Sequence, residues 1–189
     1  MKAISLWQPW ASAIAIEAKR IETRSWPTSY RGPLAIHAAK RCIGAEQAHL
    51  QSLATFRAAL WPLDYGWGGP PLPLGCIVAV CRLVDCRPVE SFTAQEIGVN
   101  RYWPDRKCPF TWSERDMGDY TPGRFGWVLA DIRRTQEVPY RGAQGLFDLD
   151  QVTSAKLLAA MGGPSWQPLQ KEQVDVDLFS QCAEEASHE

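Results

Sequence analysis

The chain has 189 residues, 46% of them hydrophobic and 22% charged. That is globular composition and room for one domain, with enough chain to bury a core without a metal or disulfide staple. Twenty basic and 21 acidic residues almost cancel, which excludes a uniformly basic or acidic protein but hides a local asymmetry.

Between Glu172 and Glu189 lie six acids and no Lys or Arg, so the body of the chain holds 20 basic residues against 15 acidic ones. The first 45 residues carry Lys2, Lys19, Arg20, Arg24, Arg31, Lys40 and Arg41 against Glu17 and Glu22 alone. A basic N-terminal third suits a polyanion; a solvated charged face is the plain alternative. The acidic tail reads as disordered. No apolar run is long enough to span a bilayer, and no secretory leader is apparent, so a cytoplasmic protein with reduced thiols is expected. The six cysteines form no C-x2-C knuckle and the three histidines are scattered. Neither a metal nor a cofactor is expected.

In chain order, Lys2–Leu6 reads as a strand. Pro9 sits as the first residue of a helix running through about Ala18. Arg20–Trp26 alternates, with Arg20, Glu22, Arg24 and Trp26 on one strand face and Ile21 and Thr23 on the other. A turn through Thr28–Gly32 leads into a strand over Pro33–Ala38. Ala45–Trp61 has helical spacing in Leu50, Leu53, Phe56 and Leu60, and the Pro/Gly-rich stretch 62–75 is a loop. Cys76–Val84 is an apolar strand buried on both faces near its start. Residues 87–124 form a loop insert with a short helix near Thr93–Ile97, and Phe125–Arg133 is a strand. Asp150 caps a helix through Met161. Tyr30-Arg31-Gly32 and Tyr140-Arg141-Gly142 form a near-repeat of turns, with Gly at positive φ and Tyr and Arg projecting outward. Five or six strands and about three helices, in an order neither alternating nor all-helical, predict an α+β fold built on a small mixed β-barrel.

Several separated motifs carry a family resemblance: Leu6-Trp7-Gln8-Pro9-Trp10-Ala11, Lys19-x-x-Glu22-x-Arg24-x-Trp26, Tyr30-Arg31-Gly32, Ile36-His37-Ala38-Ala39-Lys40, Gly126-Trp127-Val128-Leu129, and Pro139-Tyr140-Arg141-Gly142. Together they resemble the ASCH domain family of the PUA-like superfamily, small barrels of which many bind RNA or modified nucleobases. The resemblance covers about residues 1–150, with 87–124 as a variable insert and 151–189 as a short helix and acidic tail. Its signature, Gly-x-Lys-x-x-Glu-x-Arg, is matched at Lys19, Glu22 and Arg24, but its Gly is Glu17 here. A Gly after a helix takes a left-handed conformation that would cost Glu on the order of 1 kcal/mol, so a slightly different helix end is expected.

Chemistry divides the candidate residues. Arg24 offers a planar fork for phosphate or a base edge, Glu22 accepts from an exocyclic amine, and Lys19 is a phosphate contact or a base. The bland alternative for this trio is a surface ion-pair ladder worth about 0–1 kcal/mol per pair. Trp26 and Tyr30 are stacking candidates, at about 1–3 kcal/mol per base; Trp7, Trp10 and Trp127 read as core or as pocket walls. Gln8 and Arg31 join the candidate ligand contacts. His37, opposite Leu34 and Ile36 on its strand, is either a satisfied structural histidine or a ligand or general base. The leading expectation is a module holding a nucleotide or splayed base, from RNA first, in a cleft between the N-terminal helix and the barrel. As an enzyme, with Lys19 and Glu22 as catalytic groups, the resemblance implies an amidohydrolase of N4-acetylcytidine-type nucleosides. The Thr such members use falls at Glu22, however, and no partner Glu is identifiable. The resemblance also extends to members linked to RNA cleavage, and no residue set here specifies that ribonuclease reaction. The third reading is a protein-interaction adaptor using the 62–75 loop. The bound base and the oligomeric state stay open.

Overall fold

The computed structural model describes residues 1–40, 54–63, 70–98 and 112–160. Among these residues six strands form one mixed sheet: β1 (Lys2–Leu6), β2 (Ile21–Arg24), β3 (Gly32–Ala38), β4 (Cys76–Pro88), β5 (Phe125–Pro139) and β6 (Leu146–Asp148). Their order is β2-β5-β4-β3-β1-β6. Only β1 and β3 run parallel; every other pair is antiparallel. The ladder between the two long strands β4 and β5 is interrupted by three register shifts. Each such irregularity bends the strand and increases its twist, which curls the sheet into a half-barrel. The α+β class and the number of strands agree with the sequence reading.

Among the described residues four α-helices accompany the sheet: α1 (Trp10–Ala15), α2 (Ala54–Ala59), α3 (Ala94–Gly98) and α4 (Gln151–Ala160). Helix α1 lies in the concavity. Its Ala11, Ile14 and Ala15 pack with Ile4, Leu6, Leu34, Ile36, Val78 and Leu129 in the main core. Its Ala13, with Ala18, faces a second cluster made by Phe56, Leu60, Trp112 and Met117. On the opposite side of the sheet, Ala3, Ala35, Ile77 and Val80 are covered by Leu149 and by Leu157 of α4. Strands β1, β3 and β4 are therefore buried on both faces, as the Val/Ile-rich run of β4 requires. The Asp150 carboxylate caps α4 by accepting the Thr153 N–H at 2.8 Å, and that bond holds the carboxyl below its ordinary range.

Several elements differ from expectation. Helix α1 is shorter than Pro9–Ala18, and Pro9 precedes its first helical residue. Strands β4 and β5 run past Val84 and Arg133 to Pro88 and Pro139, and β6 adds a strand not anticipated. The expected helix over 45–61 is seen from Ala54 to Ala59, its first part lying outside the described residues, as do 64–69 of the Pro/Gly loop and the acidic tail. The 87–124 segment is more than a loop: it supplies Trp112 and Met117, each 1% exposed, to the core beneath α1 and α2. No helix among the described residues is long and apolar enough to cross a membrane.

Candidate functional site

The site begins at the end of α1. Glu17 does adopt the left-handed conformation, φ 62°, so the helix ends as the Gly of the signature would end it, and the expected alternative ending does not occur. The Glu17 N–H bonds the Ile14 carbonyl at 2.8 Å, and Lys19 N–H bonds that of Ala13 at 3.1 Å. Glu17 offsets part of its strain through an exposed ion pair with Arg20 at 2.9 Å. Glu17→Gly is therefore expected to stabilise the fold: relief of about 1 kcal/mol of strain exceeds the few tenths carried by an exposed pair. Chemical denaturation with a higher midpoint and an unchanged slope would be the readout.

This turn sends the Lys19 side chain inward. It is fully buried, donates to the Ile21 carbonyl and lies 3.9 Å from Glu22 Oε2. Glu22 is held from its other side by Arg24 Nε at 3.3 Å. Arg24 in turn donates through Nη2 to the Ser5 carbonyl at 3.1 Å. The signature residues thus form one chain, Lys19–Glu22–Arg24–Ser5, running from the interior to an open surface. Glu22 and Arg24 border a cleft of about 1580 Å³; Lys19 does not.

The cleft lies where the C-terminal ends of β1 and β3 meet the 139–145 segment between β5 and β6. Trp7, 41% exposed, Trp10 and Trp26 line it. Trp26 stands edge-on to the buried Trp127 with ring centres 4.7 Å apart, and accepts at its carbonyl from the Trp127 indole at 3.4 Å. Trp10 packs edge-on against Phe56 and donates to the Met117 carbonyl at 2.9 Å. Lys40, Arg124 and Arg141 add positive charge to the lining, and Glu22, Asp116 and Asp119 negative charge. Arg124 pairs with Asp119 at 3.3 Å, and hydrogen bonds from Thr121 hold the Asp119 carboxyl below its ordinary range. Asp116 accepts from Ser113. Lys40 and Arg141 are exposed and have no ion pair among those found in the described residues.

His37 also borders the cleft, although only 2% exposed. Its Nδ1 is 3.1 Å from Ser5 Oγ and its Nε2 is 3.0 Å from the Tyr140 carbonyl. Burial lowers its pKa, partly countered by the Tyr140 carbonyl, so the ring is neutral near pH 7. Gly142 passes directly over this pair: a Cβ there would collide with His37 Cε1 and lie 2.6 Å from Ser5 Oγ.

The other predicted residues lie elsewhere. Gln8 is buried, accepting the Ser12 N–H at 3.0 Å and donating to the Pro73 carbonyl at 2.8 Å; it fastens the start of α1 and does not border the cleft. Tyr30 does not project outward. It packs against the main core, its hydroxyl bonds the Pro33 carbonyl, and burial raises its pKa. Arg31 is exposed but pairs with Asp85 at 3.2 Å, away from the cleft. Of the two turn glycines, Gly32 has positive φ, whereas Gly142 is demanded by close approach. Ser5, Thr23 and Lys40 are cleft residues that sequence reasoning does not single out. Thr23, expected on the far face of β2, has a hydroxyl that accepts the Asp119 N–H at 2.9 Å where the 116–119 segment closes the cleft. Glu114 is a further residue without a sequence signal: it is 3% exposed and accepts the backbone N–H groups of Arg20 and Ile21, fixing the start of β2 from below. Among the described residues, no group of His, Cys, Asp and Glu is arranged to hold a metal.

Residues 4–139 match the family model of the ASCH domain. Activating signal cointegrator 1 of Homo sapiens and that of Mus musculus are each 38% identical over 98 residues, which is 49% of this chain. The match covers only 15% of each of those longer proteins. Among solved structures, the ASCH protein of Zymomonas mobilis is similar at 15% identity and a TM-score of 0.45, covering 84% of this chain and 93% of that one. A point mutant of that same protein gives 16% identity, a TM-score of 0.47 and coverage of 84% and 96%. With the family match spanning most of its length, the chain belongs to the ASCH domain family.

Proposed function

We propose that the cleft binds nucleic acid, RNA foremost, and receives a splayed base against Glu22 and Arg24. The observation that supports this most is the ion pair of the buried Glu22 with the partly exposed Arg24 at the surface of an open cleft whose lining also holds a half-exposed Trp7 and the exposed cations Lys40 and Arg141. Each part matches one component of a nucleotide. Glu22 Oε atoms accept from an exocyclic amine, Trp7 and Trp26 offer ring faces and edges for stacking, and Lys40 and Arg141 meet phosphates. The volume exceeds the roughly 300–1,000 Å³ of a small-molecule site and suits a short single strand. Lys19 is buried under Glu22 and outside the cleft lining, which gives no support to the deacylase reading that would place it on the substrate. The relationship to a cointegrator favours a protein partner as the second reading, with co-purification after nuclease treatment as its test.

The binding proposal has a direct test in fluorescence anisotropy of a labelled single-stranded RNA between about 50 and 200 mM salt. Lys40→Ala and Arg141→Ala are each expected to weaken binding and to reduce the slope of log K against log salt by about 0.7. Arg24→Ala is expected to weaken binding and flatten discrimination among bases. Equal affinity and slope in wild type and all three variants would rule the proposal out.

A further inference from the structure

We propose that Ser5 and His37 form a nucleophilic dyad that cleaves carboxylic esters carried on a nucleotide; the nucleotide part rests on the binding function proposed above. Parallel pairing of β1 with β3 puts Ser5 directly opposite His37, an adjacency set by the sheet between residues 32 apart in sequence. A carbonyl can only accept, so the contact with Tyr140 at 3.0 Å places the ring proton on Nε2. That leaves the Nδ1 lone pair facing the Ser5 hydroxyl, 3.1 Å away. The result is a nucleophile, a base, and a third group fixing the base's orientation and tautomer. The base is almost wholly buried at the edge of the cleft, whereas Ser5 is partly exposed and borders it.

Two neighbours complete the arrangement. Arg24 donates to the backbone carbonyl of Ser5 at 3.1 Å, which tethers a guanidinium to the nucleophile's own residue as the candidate partner of the oxyanion. Gly142 leaves no room for a side chain over the dyad, so the backbone itself forms the roof. In the reaction, Ser5 Oγ bonds to the acyl carbon while its proton passes to His37 Nδ1. The tetrahedral oxyanion forms beside Arg24. His37 then protonates the sugar oxygen as the ester C–O bond breaks, leaving an acyl-Ser5. Water attacks the acyl carbon, giving its proton to Nδ1, and His37 returns a proton to Ser5 Oγ. Ester plus water yields a carboxylic acid and a free nucleotide hydroxyl.

The experiment uses the full chain with a fluorophosphonate probe, p-nitrophenyl acetate, 3′-O-acetyl-AMP and glycerol acetate. The dyad predicts one covalent adduct, mapped to Ser5 by peptide mass spectrometry. It also predicts ester turnover reduced at least about 100-fold in Ser5→Ala and in His37→Gln, with thermal melts confirming that the variants fold. No adduct at Ser5 in the wild type, or turnover that survives Ser5→Ala, overturns the dyad whether or not RNA binds. Ser5-dependent turnover with equal kcat/KM for the AMP and glycerol esters overturns the nucleotide specificity. Preference for the AMP ester supports the whole proposal, and RNA affinity measured separately shows whether the binding function stands.

Discussion

Lys19→Met is expected to lower the unfolding free energy by about 3–5 kcal/mol, the cost of removing one partner from a buried pair. The substitution keeps the length and apolar stem of the side chain but deletes the donor. Two acceptors then lose a partner in the interior: the Ile21 carbonyl and Glu22 Oε2. Glu22, 9% exposed, keeps Arg24 but carries an uncompensated share of its charge into a poorly hydrated site. Urea denaturation followed by far-UV circular dichroism measures this loss. If Lys19 instead served at the surface of the cleft, the variant would keep nearly wild-type stability and lose only ligand. The opposite pattern, large destabilisation with residual binding at low temperature, follows from the geometry.

Trp127→Ala is expected to cost a similar amount, about 3–5 kcal/mol, for an unrelated reason. Trp127 is wholly buried in the main core and pairs across the sheet with both Glu22 and Cys86. Its removal opens a cavity that neighbouring strands, fixed by their ladders, cannot close. It also takes away the surface against which Trp26 is set edge-on and the indole N–H that the Trp26 carbonyl accepts. Trp127→Phe retains an aromatic body and should recover a large part of the stability. Nucleic-acid affinity in both variants should fall further than Trp26→Ala alone explains, since the neighbouring Glu22 also loses its support. Denaturation midpoints and anisotropy titrations on the same preparations separate the two effects.

Locally determined features were legible in the sequence. The apolar run of β4 and the small apolar residues of α1 declare themselves because one residue's environment there follows from its near neighbours. Polar stretches at the ends of β4 and β5, Asp85–Arg87 and Arg134–Glu137, carry no such pattern; they are strand because β4 and β5 pair with each other along their whole length. Long-range pairing also explains why Ser5 escapes notice: it becomes a cleft residue only when β1 lies beside β3. Strand alternation cannot place Lys19, because the strand begins at Ile21, after the left-handed Glu17 has already turned the chain and sent the side chain two residues on into the interior. Trp112 and Met117 look like parts of a surface loop, yet they pack beneath α1, a contact spanning about half the chain.

The Glu22–Arg24 pair is already made before any ligand arrives, and Arg24 is further tethered to the Ser5 carbonyl. In the proposed binding mode a phosphate at this pair would meet the Glu22 carboxylate as well as the guanidinium, and like charge opposes it. An uncharged ring bearing an amine can instead take an oxygen lone pair that Arg24 leaves open, adding a bond without breaking one. In the proposed binding mode the Glu22–Arg24 pair therefore favours an uncharged ring, and backbone anions fall to the exposed Lys40 and Arg141.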